Sequence, residues 1–262
     1  MNGLFKYFPT DEDKLERFTN GQVYLTPPKY FNDPWDFRPR SEPWTKESAI
    51  RADPSLALEP ENKLLDFLRH MNTPSSLEAE AAAQQEGLSE LVGVVSLTED
   101  PMNRLLWANY GGSHEGFVAE FRCTEFRHAN EEAEAFSTCL TPFGGGAARK
   151  VKYRQQPKDM KRDGSEEYDV FWTKHKLWTY EQEWRVVESL KKADRHPTRK
   201  GYTLLWFKPD DLLRVILGLR ARPRVRFQLR QMLNHEEFEH VHKEEVCIEP
   251  NSRELKLRPL SW

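Results

Sequence analysis

The sequence predicts an α+β fold built on a strongly curved, mostly antiparallel sheet that carries a helical insert. Three observations lead there. Short apolar or alternating runs, the mark of strands, outnumber long segments with helical periodicity. The long helical segments fall together within residues 56–91. The chain opens as strand, helix, turn, strand and closes as strand, helix, strand, strand.

Residues 4–8 alternate around Lys6 and read as the first strand. Residues 11–18 then read as a short helix capped by Thr10, with acidic residues in its first turn. Asn20 and Gly21 stop it, residues 23–25 are strand-like, and Pro27-Pro28 forbids both helix and central strand beyond them. An ordered loop, FNDPWDFRP, follows. Residues 59–71 place Leu64, Leu65, Leu68 and Met71 on one helical face, and residues 77–91, rich in Ala, Glu and Gln, make a second helix. Residues 92–97 are a continuous apolar run of buried-strand length. A short helix over 103–110, a break at Gly111-Gly112 and a strand over 116–121 come next. The stretch 138–149, with its GGGAAR, reads as a loop, 151–153 as a short strand, 168–178 as a helix and 183–188 as a strand. The ending is a strand over 212–217, a helix over 224–233 with Val225, Leu229, Met232 and Leu233 inward, and strands over 245–248 and 254–257 around Pro250-Asn251.

Composition bounds the function. Charged residues make up 31% of the 262 and mean hydropathy is −0.79, yet aromatic residues at 12% cluster rather than stay in water, so the chain is folded and not disordered. One domain over 1–262, with 56–91 as an insert, is the simplest organisation at this length. Cys123, Cys139 and Cys247 are too few and too scattered for a disulfide framework, and no pair has zinc-knuckle spacing, which fits a reducing cytoplasm. No apolar run approaches the ~20 residues of a membrane span, and the first residues lack the core of a signal peptide. The expectation is a cytoplasmic protein without membrane attachment. Net charge is −3, but residues 1–131 carry 13 basic and 22 acidic side chains against 26 and 20 in residues 132–262. A basic half attracts phosphate, while unevenly charged solvated surface is the plainer account.

Four clusters hold the uncommon residues: FNDPWD at 31–36 with Asn32 and Asp33, SLTEDP at 96–101, LLWANYGGSHEG at 105–116 with Trp107, Tyr110 and His114, and KLWTYEQEWRVV at 176–187 with Glu183 and Arg185. Each sets an aromatic ring beside polar groups near a strand end, the mixture a pocket needs to exclude water and orient a planar ligand. Taken singly, Trp35, Trp107, Trp178 and Trp184 also suit core anchors with satisfied N–H groups. A strand entered by Glu181 would put Glu181, Glu183 and Arg185 on one face and Trp184 and Val186 on the other. That face is either an exposed ion-pair ladder or a cleft in which one carboxylate serves as base or hydroxyl acceptor while Arg185 keeps the other charged. His235, His240 and His242 lack the spacing of a metal site, so no metal is expected. GGGAAR lacks the Lys-Ser/Thr of a phosphate loop, and neither Cys123 nor Cys139 has a His and an acid nearby. The run RARPRVRFQLR at 220–230 carries five Arg that form no single stripe, so a solvated face suits it better than a nucleic-acid groove.

These clusters, in this order and at these spacings, resemble the mainly bacterial domain-of-unknown-function family 2971, over residues 4–257. The opening LFKYFPTDEDKLERFTNGQVYL is also similar to the start of ADP-ribosyltransferase-like domains of the DNA-modifying toxin type. That second resemblance implies a split sheet, NAD as substrate and a catalytic Glu on a late strand, where Glu183 is placed. It implies that Lys6 or Tyr7 takes the first-strand position, where those enzymes usually show His or Arg. Trp107 or Tyr110 would stack on the nicotinamide, with Asn32, Asp33, His114 and Arg185 completing the cofactor-binding set. The chemistry suits these residue types, because cleavage of the nicotinamide–ribose bond passes through an oxocarbenium-like state that a carboxylate stabilises. Two functions follow as expectations. One is an NAD-dependent ADP-ribosyltransferase-like toxin or antiphage effector whose acceptor is a nucleic acid or a protein. The other is a non-catalytic module of a bacterial defence system that binds a nucleotide or a partner protein.

Overall fold

A computed structural model of the chain describes residues 3–128, 137–141, 143, 147–156, 159–160, 162, 169–191, 194–195, 202–252 and 254–260. In chain order the first elements are β1 (Gly3–Phe8), α1 (Glu12–Thr19), β2 (Gln22–Leu25), β3 (Arg40–Ser41), α2 (Lys46–Ala52), α3 (Glu61–Met71), α4 (Pro74–Leu91), β4 (Val92–Thr98) and α5 (Arg104–Asn109). Then come β5 (Phe117–Arg122), β6 (Thr124–His128), β7 (Ser137–Leu140), β8 (Ala147–Lys150), β9 (Lys152–Arg154), β10 (Asp159–Met160), β11 (Thr173–His175) and β12 (Glu183–Ser189). The chain ends with β13 (Asp194–Arg195), β14 (Thr203–Trp206), β15 (Leu212–Leu217), α6 (Pro223–Leu233), β16 (His242–Ile248) and β17 (Leu255–Pro259). The fold is α+β around a curled, mostly antiparallel sheet. Among the described residues, no helix is long and apolar enough to cross a membrane.

The chain forms two compact units, one of Met1–Thr26, Gly93–Val151 and Leu177–Trp262, the other of Pro27–Val92 and Lys152–Lys176. The first unit is built on a ten-stranded sheet in the order β17-β16-β15-β5-β1-β4-β12-β8-β7-β6. β1 runs antiparallel to both β5 and β4, whereas β15 and β16 run parallel. Alternation along β1 sends Leu4 and Phe8 into one core with Leu15, Phe18, Leu97, Phe117, Trp184 and Val186. It sends Phe5 and Tyr7 into a second core with Leu106, Trp107, Val118 and Ile216. Lys6, between Phe5 and Tyr7 and opposite Ala119 of β5, therefore belongs to the face of Leu4 and Phe8. A separate three-stranded sheet, β13-β14-β2, carries Val23 and Leu25 into the first core.

The second unit contains α2, α3 and α4, so the helical stretch 56–91 lies within it, along with the parallel ladders β10-β3 and β11-β9. Its interior is knit by Phe37 between Phe31 and Phe171, by the buried pair Lys174–Asp36 at 3.5 Å and by Arg162. The Arg162 guanidinium lies 3.6 Å from the centre of the Trp44 ring and grips Glu80 at 2.7 and 2.8 Å.

Four local expectations are corrected. Asp11, not Thr10, caps α1: its carboxylate accepts from the Lys14 N–H at 2.9 Å, and an ionised oxygen is the stronger acceptor at that end of a helix. The stretch 138–149 is not a loop, since β7 and β8 pair through Thr138–Arg149, Cys139–Ala148 and Leu140–Ala147. Its Gly144–Gly146 and the side chain of Cys139 lie outside the described residues. Residues 169–178 are not one helix but two 3₁₀ turns, Asp169–Trp172 and Lys176–Glu181, around β11, because pairing with β9 outweighs the local pattern. Tyr168 lies outside the described residues. Glu181 closes the second 3₁₀ turn and is not in the strand, which starts at Glu183 after Gln182 takes a left-handed φ of 45°.

Candidate functional site

β12 supplies the centre. Glu183 and Arg185 stand two residues apart and so share a face, and Arg185 donates from Nε to Oε1 and from Nη2 to Oε2 of Glu183, both at 2.9 Å. Both are buried, Glu183 at 4% exposure and Arg185 at 0%, so the pair is no surface ladder. On the opposite face Trp184 donates from Nε1 to Glu99 at 2.8 Å, and the same Glu99 oxygen accepts from Lys150 at 2.6 Å.

The segment after β4 fastens the turn that leads into β12. Thr98 donates to the Glu181 carbonyl at 2.6 Å, and Asn103 donates to the Tyr180 carbonyl at 2.8 Å. Asn103 also caps α5 through its oxygen, accepting from the N–H groups of Leu105 and Leu106. α5 then presents Tyr110, whose hydroxyl donates to the Glu181 carboxylate at 2.6 Å. Glu181 is itself buried, at 4% exposure. Two carboxylates, a guanidinium and a phenol are thus held on adjoining backbone by three side-chain clasps.

Trp107 is wholly buried, with its N–H given to the Pro101 carbonyl at 2.9 Å. The Tyr7 ring meets it edge-on at 5.2 Å, and the His114 ring lies parallel to it at 5.9 Å. Tyr7 donates to the Asp100 carbonyl at 3.0 Å, and burial, reinforced by the Asp100 charge, drives its phenol well above the usual range. His114 is held below the usual imidazole range, first by burial and then by the Arg220 cation. Its Nδ1 is buried without a hydrogen-bond partner among the described residues.

Lys6 lies on β1, one strand removed from β12 across β4, on the sheet face of Trp184 and Val186 and not on that of Glu183 and Arg185. Its ammonium makes one long contact, 3.4 Å to the Ser96 carbonyl, and sits 5.8 Å from the centre of the Phe8 ring. Burial, and next the charge of Lys14, lower its pKa to about 8, with Glu183 acting weakly in the opposite sense. A cleft of about 60 Å³ opens here, walled by Lys6, Lys14, Gln22 and Tyr24. Sequence reasoning missed Lys14, Glu99 and the buried character of Glu181, since each acquires its role from a partner at least eight residues away.

Asn32 and Asp33 belong to the second unit. There the Asp33 carboxylate accepts from the Trp35 N–H at 2.9 Å and its carbonyl from the Asp36 N–H at 3.1 Å, so Asp33 shapes its own turn. Trp35 is 65% exposed beside the Arg38 guanidinium. Four of the five Arg in the run are engaged: Arg220 with the Ser113 carbonyl, Arg222 with Glu115, Arg224 with Glu12 and Arg226 with Glu245. Burial pushes Glu245 up, but hydrogen bonds from Arg226 and Arg258 outweigh it and hold the carboxyl below its usual range.

Chemically, the bidentate pair sets a carboxylate beside a guanidinium inside the protein, where electrostatic fields are least screened. Such a carboxylate stabilises a nearby positive charge or accepts a hydrogen bond from a hydroxyl. No curated protein and no solved structure matches the chain. Residues 106–186, which contain Trp107, Tyr110, His114, Glu181, Glu183 and Arg185, match the family model described as Protein of unknown function (DUF2971).

Proposed function

We propose that the chain cleaves the nicotinamide–ribose bond of NAD and transfers ADP-ribose to a nucleic acid or protein acceptor, with Glu183 as the carboxylate that stabilises the oxocarbenium-like state. One observation carries the reading: Glu183 is buried and held in its bidentate pair with Arg185. A carboxylate fixed in low dielectric before substrate arrives costs no reorganisation when positive charge develops at the ribose. Tyr110, tied to Glu181, supplies an aromatic group on the adjoining turn.

The second reading, a nucleotide-binding module without chemistry, draws on the same pair, because both Glu183 oxygens already accept from Arg185. Such a carboxylate orients a ligand without reacting.

Nicotinamide release from labelled NAD, in the presence of nucleic acid or cell lysate, separates the two. The transferase reading expects turnover that Glu183→Gln lowers roughly 10²–10³-fold, the scale of losing one preorganised electrostatic contact. Circular dichroism of the variant checks its fold. Wild-type protein that binds NAD but releases no nicotinamide overturns transfer and supports the binding module.

A further inference from the structure

We propose that the cleft between β1, α1 and β2 binds a single phosphate-class oxyanion between the ammonium groups of Lys6 and Lys14. The two cations line one small space, and neither makes an ion pair with a carboxylate among the described residues. Lys6 has three N–H donors and spends one, on a carbonyl at 3.4 Å. The Lys14 side chain makes no hydrogen bond or ion pair among the described residues, and its charge weighs more on Lys6 than that of Glu183 does. Two ammonium groups sharing a partly desolvated site repel each other, and an anion between them converts that repulsion into two charge-assisted contacts.

Lys14 is also misplaced for a purely structural role. It stands in the first turn of α1, where the helix dipole disfavours a cation, while its neighbours Glu12 and Asp13 follow the rule. Asp13 is turned to the Tyr24 hydroxyl at the wall of the cleft. Gln22, buried at 7% exposure, accepts from Arg17 through Oε1 at 3.4 Å, which leaves its amide N–H groups as further donors to an oxyanion. The aromatic face of Phe8 and the ring of Tyr24 close the sides.

Size sets the class of ligand. The cleft holds about 60 Å³, well under the roughly 300–1,000 Å³ of sites that enclose whole small molecules. One phosphate group enters it; a base or a sugar attached to that group stays outside. The site needs no NAD and no glycosyl transfer, so it goes beyond the proposed reaction.

The test is lysine-selective NMR of the full chain, titrated with inorganic phosphate and, at matched ionic strength, with sodium chloride. Phosphate is expected to saturate and to raise the Lys6 pKa from its value of about 8. Lys6→Met and Lys14→Met are each expected to weaken phosphate binding at least about tenfold, the scale of one charge-assisted hydrogen bond. Without phosphate, Lys14→Met raises the Lys6 pKa by removing the neighbouring charge, and circular dichroism of each variant checks its fold. ADP is the second ligand: tighter binding than inorganic phosphate marks the phosphate of a nucleotide as the occupant, and equal binding marks the free anion. Phosphate that acts no differently from chloride, or that binds both variants as well as wild type, overturns the site. Because none of these readouts involves NAD turnover, loss of the site and loss of the transferase reading are told apart.

Discussion

Arg185, fully buried on β12, has Glu183 as its carboxylate partner, and a guanidinium without that partner inside protein is costly. Arg185→Met should therefore destabilise by about 3–5 kcal/mol, because it removes the bidentate partner of the buried Glu183, while Glu183→Gln combined with Arg185→Met should recover most of that loss. Urea unfolding of the three variants gives the coupling directly. A pair that exists only for packing recovers stability in the double variant, and nothing about NAD then changes except through Glu183. Tyr110→Phe makes a gentler probe, since it removes only the hydroxyl that donates to Glu181 at 2.6 Å. A buried carboxylate losing one such donor should cost about 1–3 kcal/mol in the same experiment. The shared face of Glu183 and Arg185 was legible from their spacing of two. The entry of Glu181 was not, because a left-handed Gln182 reverses the chain just before the strand, and no Gly or Asn marks that position.

At the scale of elements, the stretch GGSHEG is a backbone device as much as a set of side chains. Gly112, Ser113 and His114 take φ values of 59°, 55° and 69°, a left-handed turn that glycine enters freely and the other two do not. The turn is pinned on both sides: His114 accepts from the Arg220 N–H at 2.9 Å, Glu115 from the Arg222 N–H at 3.0 Å, and Gly116 from the Gly218 N–H at 2.9 Å. Gly116 lies so close to the end of β1 that an added Cβ would meet the Phe8 carbonyl oxygen at 2.0 Å. Gly116→Ala should then force β1 and β5 apart and cost about 3 kcal/mol or more, at the severe end for one methyl group, which thermal unfolding measures. The same packing explains which elements could be read in advance. β1, α1, β2, α3, α4, β4 and β15 follow local periodicity and terminators such as Pro27-Pro28 and Asn20-Gly21, so sequence suffices. β8 and β11 are four and three residues long and pair with β12 and β9, more than fifteen residues away, which no local pattern encodes, while β7 is a four-residue strand that pairs with β8 across a Gly-rich connection. For that reason the GGGAAR stretch read as a loop although its Ala147, Ala148 and Arg149 belong to β8.

Over the whole molecule, the few displaced titrations set how stability responds to pH. Lys6 ionises near pH 8 in the folded chain against 10.5 in an unfolded one. Between those values the unfolded chain binds the extra proton, so raising pH stabilises the fold, by about 1.4 kcal/mol per pH unit and at most about 3 kcal/mol in all. Below pH 8 the cost of holding the desolvated ammonium is present in full. Tyr7 opposes this at the top of the range. Its buried phenol keeps its proton above pH 10, where an unfolded tyrosine has begun to release it, so stability falls as pH rises further. On the acid side His114, held below 6.5, withdraws stability as pH drops below that value, because the unfolded imidazole takes up the proton first. The melting temperature should climb from pH 8, crest near pH 10 and decline beyond. Lys6→Met should abolish the climb and raise the melting temperature at pH 7, whereas Tyr7→Phe should remove the decline and lower the plateau by the lost bond to the Asp100 carbonyl. A profile in which Lys6→Met still climbs above pH 8 would show that a group other than Lys6 drives the climb. Saturating phosphate should flatten the same climb in wild type, since an anion between Lys6 and Lys14 restores the Lys6 pKa toward that of the unfolded chain and leaves no proton difference for pH to act upon.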